Sequence, residues 1–190
     1  MEEYAKANAI PIAQPETMRF IEVLIKSTNA KKVLEIGSAI GYSAISMAMC
    51  GASVTTIERD ENMLSVVRSN IKKYAFDKRI KVLAGDALSV VENLSGTFDF
   101  IFLDAAKGQY PEFLPHLLRL LKDGGILVSD NILYRGMVAT DELAIRRKTT
   151  IIKRLRAYLD TLCHSDELTT AIVPIGDGAA VSVKKSSNRQ

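Results

Sequence analysis

Acidic and amide residues stand directly after short apolar runs in this sequence, and their types and spacing suggest chemistry. Asp104 follows "FDFIFL", Lys107 comes three residues later in "LDAAKGQY", and Asp130 and Asn131 follow "GILVS". If the two runs are neighbouring strands, two carboxylates and one amide oxygen converge at their ends. Such hard oxygen donors suit Mg²⁺, Mn²⁺ or Ca²⁺ rather than zinc, and they leave positions for water or substrate. Two carboxylates in one cleft repel each other, so a cation is a natural reason for them to coexist. An amine beside a divalent ion loses its proton more readily, which suits Lys107 to act as a base. The plainer alternative is a polar turn closed by a Lys–Asp ion pair.

Other strand ends suggest a second ligand. "EIGSAIGYSA" places Gly37 and Gly41 about a tight turn into a helix, where free N–H groups are available. It is not a dinucleotide fingerprint, because Ala39 stands where the second glycine belongs. Glu58 directly follows "SVTTI" and is placed to accept from both hydroxyls of a ribose. Asp60 and Glu61 fit the cap of the next helix. Asp86, after "IKVLA", is either an N-cap or an acceptor for an adenine amine, with the N–H of Ala87 against the ring. These three ends describe a nucleoside site without a pyrophosphate cradle.

The elements that must hold these groups follow from pattern. Five apolar segments, Lys32–Ile36, Ser53–Ile57, Ile80–Ala84, Phe98–Leu103 and Gly125–Ser129, read as buried strands. Helix-like segments lie between them: "YSAISMAMC", "DENMLSVVRSNIKKY", "ALSVVENL" and "YPEFLPHLLRLLK". That alternation implies a parallel sheet with helices on both faces, and ligands then bind beyond the carboxyl ends of the strands. Gly124 and Gly125 read as the turn before the fifth strand. A long basic helix fits Asp141–Leu162, and "LTTAIVP" and "AAVSVKK", joined at Ile175–Gly178, fit an antiparallel hairpin.

Bulk numbers bound the answer. A chain of 190 residues suits one domain spanning 1–190, and 47% hydrophobic with 25% charged residues suits a soluble globular protein. No apolar run is long enough to span a membrane. The start, "MEEYAKANAI", lacks the plan of a signal peptide, and Cys50 and Cys163 do not make a disulfide framework. The expectation is a reduced, cytoplasmic protein. Net charge is only +3, but Arg146, Arg147, Lys148, Lys153, Arg154 and Arg156 cluster, and Lys184, Lys185 and Arg189 lie near the C-terminus. Each group is either a solvated face or a footprint for phosphates. His116 and His164 read as structural, and Met47, Met49 and Met63 as apolar filler on helix faces.

Taken together, "VLEIGSAIGYSA", "TIERD", "GDAL", "LDAAKGQY" and "SDNILYRG" resemble the motifs of class I S-adenosylmethionine-dependent, metal-dependent O-methyltransferases of the catechol/caffeoyl-CoA type. The likeness runs from about Ile10 to Lys185. It implies a Rossmann-like, seven-stranded, mostly parallel sheet with a C-terminal antiparallel β-hairpin. It also implies S-adenosylmethionine contacts at Gly37, Tyr42, Ser43, Glu58, Asp86 and Ala87, with Ala13 in the lead-in segment "IPIAQPE" and Asp104 near the cofactor's methionine end. Asp104, Asp130 and Asn131 would be ligands of Mg²⁺ (or Mn²⁺ or Ca²⁺), and Lys107 the base. Within the family, "DAAKGQY", "SDNILYRGMV" and "PIGDGAAVSVKK" look most like bacterial tRNA 5-hydroxyuridine methyltransferases, which act on an anticodon wobble uridine. Members usually form homodimers and carry a helical segment before the equivalent of "YAKANAIPI". Here about ten residues precede Pro11, so lid closure and dimer geometry are expected to differ.

Methyl transfer from a sulfonium needs an oxygen nucleophile that is anionic and in line. A metal supplies both when two adjacent substrate oxygens chelate it. A catechol has such a pair, and so does 5-hydroxyuridine. The discriminator therefore lies elsewhere: tRNA needs phosphate contacts. Arg135, in the loop leading to the basic cluster, is a candidate substrate contact or a surface ion-pair partner. Tyr110 either stacks on an acceptor ring or packs as the first residue of its helix.

Overall fold

The computed structural model describes residues 1–143 and 145–186. Arg189, one of the C-terminal basic residues, lies outside the described residues. The chain divides into two compact units, Met1–Leu94 and Ser95–Gln190. Strand order over the chain is β3-β2-β1-β4-β5-β7-β6, the seven-stranded α/β arrangement expected.

In the first unit, β1 (Lys32–Ile36), β2 (Ser53–Glu58) and β3 (Ile80–Ala84) pair in parallel, with Ile36 level with Ile57 and Glu58 level with Ala84. Val33, Leu34, Ile36, Val54 and Ile57 are buried, as near-continuous apolar strands of a parallel sheet require. Helices α3 (Tyr42–Met49), α4 (Glu61–Lys73) and α5 (Ala87–Asn93) alternate with these strands. Two helices precede them, α1 (Glu2–Ala7) and α2 (Pro15–Thr28). In α2 the buried Met18, Ile21 and Ile25 recur at helical spacing, Pro15 opens the first turn, and Asn29 closes it at φ +54°. Met47 is fully buried, whereas Met49 is 72% exposed and is not the core residue expected.

In the second unit, β4 (Phe98–Leu103) pairs in parallel with β5 (Leu121–Ser129), and α6 (Tyr110–Leu120) connects them. The strand β5 is longer than expected. Its register against β4 jumps from Phe98↔Leu121 to Phe100↔Ile126, so Gly124 and Gly125 form a bulge within the strand rather than a turn before it. A Cβ on Gly125 would lie 2.7 Å from the Lys122 carbonyl oxygen, which explains a glycine there. Strands β6 (Leu168–Val173) and β7 (Ala179–Lys184) form the expected antiparallel hairpin, and β7 pairs with β5.

The expected helix Asp141–Leu162 is shorter: a 3₁₀ turn covers Arg146–Lys148 and α7 runs over Thr149–Cys163. The preceding chain is held as a loop instead. Arg156 donates to the carbonyls of Met137 and Val138 and pairs with Asp141 at 2.7 Å, and Thr140 Oγ1 takes the Glu142 N–H. Among the described residues, no helix is long and apolar enough to cross a membrane.

Candidate active site

In the first unit the strand ends build a backbone cradle. After β1 the loop alternates through left-handed residues, Gly37 (φ +98°), Ala39 (φ +44°) and Gly41 (φ +82°). Gly41 is closely packed as well, since a Cβ there would lie 2.7 Å from Val67 Cγ2. The N–H groups of Gly37 and Ser38 donate to the Ile57 carbonyl. Glu58 then ties the ends of β1 and β2 together. Its Oε2 accepts from Ala39 N–H at 2.9 Å, and its Oε1 from Arg59 and Asp60 N–H at 2.8 and 2.9 Å. Two carboxylate oxygens offer about four acceptor sites, so three internal bonds leave room for a ligand hydroxyl. Asp60 caps α4 through Met63 N–H, as expected.

Asp86 is the N-cap of α5, accepting from Ser89 N–H through Oδ2, and it is exposed. Ala87 opens that helix, so the cap alternative is realised and Oδ1 lies outside that bond. Ser43 and Ala13 are buried. No side chain caps α3. Tyr42 Oη donates to Glu2 Oε1 at 2.7 Å, and burial, reinforced by that carboxylate, pushes its phenol upward. The pattern does not single out Ser38, whose buried Oγ has no hydrogen-bond partner among the described residues. Its place between Gly37 and the turn into α3 was the available signal.

In the second unit, the ends of β4 and β5 bring Asp104, Lys107, Asp130 and Asn131 together. The Asp130 N–H donates to the Leu103 carbonyl at 3.0 Å, which fixes the two strand ends. Asp130 is fully buried. Its Oδ1 accepts the Asn131 N–H at 2.7 Å, while Oδ2 is buried with no hydrogen-bond partner among the described residues. Burial first, then the Asp104 carboxylate, pushes Asp130 up to about 6. Asn131 is left-handed at φ +53°. Lys107 Nζ donates to Asp104 Oδ1 at 2.6 Å and to Tyr110 Oη at 3.0 Å. Thus the ion pair considered from sequence is present, yet it satisfies Asp104 and not Asp130.

That orphaned carboxylate oxygen is the test of a metal. A buried acceptor oxygen with no donor, beside a second carboxylate, suits a hard divalent cation. Among the described residues, no group of three or more His, Cys, Asp and Glu could hold a metal ion, so carboxylates alone do not complete such a site.

Tyr110 does not take the acceptor-stacking role. Its ring is wholly buried, and its hydroxyl lies 3.0 Å from the carbonyl oxygens of both Leu103 and Asp130. Large apolar rings at the first turn of a core helix are drawn inward, so the packing alternative holds. Burial also pushes its phenol well upward. Arg135 is exposed in a left-handed conformation (φ +59°), and its N–H donates to Asp177 Oδ1 at 2.6 Å. The N–H groups of Ile132 and Leu133 donate to the carbonyls of Gly178 and Asp177, and a Cβ on Gly178 would collide with Leu133.

The basic cluster is divided. Arg154 is held by Glu112 at 2.7 Å and the Gly108 carbonyl, and Arg156 by the loop described above. Arg146, Arg147 and Lys153 are exposed, and Lys148 lies 5.9 Å from the Tyr134 ring centre. Lys184 is structural: its Nζ donates to the Leu118 and Leu121 carbonyls at the end of α6. His164 contacts the Asp160 carbonyl one helical turn back, consistent with a structural role.

Known proteins share this plan. The sequence model of the O-methyltransferase family matches residues 2–185. A caffeoyl-CoA O-methyltransferase of Populus kitakamiensis is 32% identical, covering 86% of this chain and 74% of its own. A catechol O-methyltransferase of Niastella koreensis is 30% identical, covering 90% of this chain and 81% of its own. The solved O-methyltransferase of Bacillus cereus, in complex with SAH, superposes with a TM-score of 0.85 at 26% identity, covering 96% of this chain and 88% of that one. The chain belongs to the O-methyltransferase family.

Proposed function

We propose that this chain transfers a methyl group from S-adenosylmethionine to one of two vicinal oxygens on an acceptor. The observation that carries the metal-dependent form is the buried, unpaired Oδ2 of Asp130 beside Asp104. Asp104, Asp130 and Asn131 would hold Mg²⁺, Mn²⁺ or Ca²⁺. When bound, such a cation lowers the pKa of the acceptor hydroxyl and fixes its direction.

The chain's own groups do the rest. Glu58 would accept from a ribose hydroxyl, Asp86 and Ala87 would contact the adenine, and Gly37, Tyr42, Ser43 and Ala13 would complete the cofactor cradle. Lys107 takes the proton of the acceptor hydroxyl, and the oxygen's electron pair forms the new bond to the methyl carbon. The carbon–sulfur bond breaks with its pair going to sulfur, which turns a sulfonium into a neutral thioether.

A catechol-type acceptor is the first reading, supported by relatives whose names carry that substrate. The second is 5-hydroxyuridine in tRNA. Exposed Arg146, Arg147 and Lys153, with Arg135, favour it, because phosphate contacts need free cations. Labelled S-adenosylmethionine with Mg²⁺, offered 3,4-dihydroxybenzoate and tRNA carrying 5-hydroxyuridine in parallel, separates them. Label only in the catechol selects the first reading, and label in tRNA selects the second. Transfer that persists undiminished in EDTA refutes the metal role in either.

A further inference from the structure

Tyr110 is shut away from any acceptor, yet its hydroxyl lies 3.0 Å from Lys107 Nζ. We propose that Tyr110 is a positioning residue: it accepts one N–H of Lys107 and so fixes the direction in which Nζ points. This rests on the reading of Lys107 as the base.

The hydrogen-bond inventory carries the argument. A phenol has one proton. The Tyr110 hydroxyl faces two backbone carbonyls, Leu103 O and Asp130 O, each at 3.0 Å, and carbonyls only accept. The phenolic proton is therefore committed to the strand ends, and Oη presents lone pairs alone to Lys107. Nζ must answer with an N–H there. A second N–H goes to Asp104 Oδ1 at 2.6 Å. Nζ has three positions beyond its bond to Cε, and two are now assigned. The third points to neither of them and is left to face an acceptor. A flexible four-carbon stem holds no such orientation unaided.

The ring cannot swing away. It packs edge-on against Tyr158, with centres 5.4 Å apart and planes at 69°. Tyr158 is also fully buried, but its hydroxyl meets Ser129 Oγ at 2.6 Å. Two touching phenols of equal burial thus point at different partners. That supplies an internal control, because deleting either hydroxyl removes a buried hydrogen bond while only one of them reaches Lys107.

The test compares Tyr110→Phe, Tyr158→Phe and Lys107→Met in the full chain with Mg²⁺ and 3,4-dihydroxybenzoate, or tRNA if that is the acceptor. We expect Tyr110→Phe to lower kcat at least about tenfold, a fraction of the 10²–10⁴ a general base supplies. Its acceptor KM and S-adenosylmethionine Kd should stay within about twofold. Tyr158→Phe should show a comparable fall in melting temperature with kcat near wild type. A readout independent of turnover is acylation of Lys107 by acetic anhydride in metal-free protein, followed by mass spectrometry. Its rate should rise severalfold in Tyr110→Phe and not in Tyr158→Phe. Wild-type kcat in Tyr110→Phe with a dead Lys107→Met overturns the positioning role alone. A fully active Lys107→Met overturns the base and the positioning role together. Equal losses of kcat in both phenylalanine variants, with unchanged Lys107 labelling, would make Tyr110 a packing residue only.

Discussion

At the end of β2, the Glu58 carboxylate accepts three backbone N–H groups and remains half-buried. At the end of β5, the Asp130 carboxylate is fully buried, accepts one N–H, and leaves an oxygen with none. Both are acids directly following an apolar strand, one in each unit. Glu58 is stabilised by the chain and preorganises a loop around itself. The charged form of Asp130 is disfavoured by burial, so a proton or a bound cation would relieve it. The number of internal bonds, not the residue type, separates a carboxylate that shapes its loop from one left with an open acceptor.

The largest way to break that contrast is Asp130→Ala. It should cut metal-stimulated transfer by about a thousandfold while leaving S-adenosylmethionine affinity within about threefold, as read by steady-state rates and calorimetric titration. Near-full activity with an unchanged metal requirement would remove Asp130 from the metal site.

Next comes the stability of the metal-free protein against pH. Asp130 binds its proton more tightly when folded, at about 6, than in the unfolded chain, where an aspartate has its ordinary value of 3.8. Its folded state therefore holds more protons between those values, and stability falls as pH rises from about 4 to 6, by roughly 3 kcal/mol, then levels. Denaturant melts in EDTA should show this slope, Asp130→Asn should lack it, and added Mg²⁺ should oppose it. A slope unchanged in Asp130→Asn would mean that another group carries it.

Glu58→Ala should do the reverse of Asp130→Ala. With three N–H groups deprived of their acceptor, S-adenosylmethionine Kd should rise at least about tenfold and stability drop by about 2 kcal/mol at pH 7. The metal requirement should persist. The smallest effect is expected from Arg146→Ala, Arg147→Ala and Lys153→Ala combined. If tRNA is the acceptor, the salt dependence of binding should flatten by up to about three phosphate contacts, while turnover of free catechol stays the same. An unchanged slope returns the cluster to a solvated face.

Much of this was legible in the sequence, for identifiable reasons. Strands β1 to β4 and the last residues of β5 are apolar runs bounded by polar residues, and the ends they define are where Glu58, Asp86, Asp104 and Asp130 fall. What periodicity could not show was partnership. The sequence of Arg154 and Arg156 reads as free positive charge, but Glu112 and the 137–141 loop claim them from a distance in the chain. The same Arg156 contacts explain why α7 starts later than its pattern. Stacking and packing stay open for Tyr110 in the sequence because aromatic type is visible there and depth is not. In contrast, α2 carries plain signals in Pro15, Glu16, the buried 18/21/25 stripe and Asn29.

The loop after β5 is anchored by the N–H groups of Ile132, Leu133 and Arg135 onto the hairpin turn at Asp177 and Gly178. None of those anchors on the loop side is a side chain. Tyr134 and Arg135 can therefore be exchanged without unfastening the backbone, whereas any side chain at Gly178 would lever Leu133 and the whole path outward. The path of this loop is in this sense set by backbone bonds and by one glycine, and the side chains it displays are free to change without altering that path.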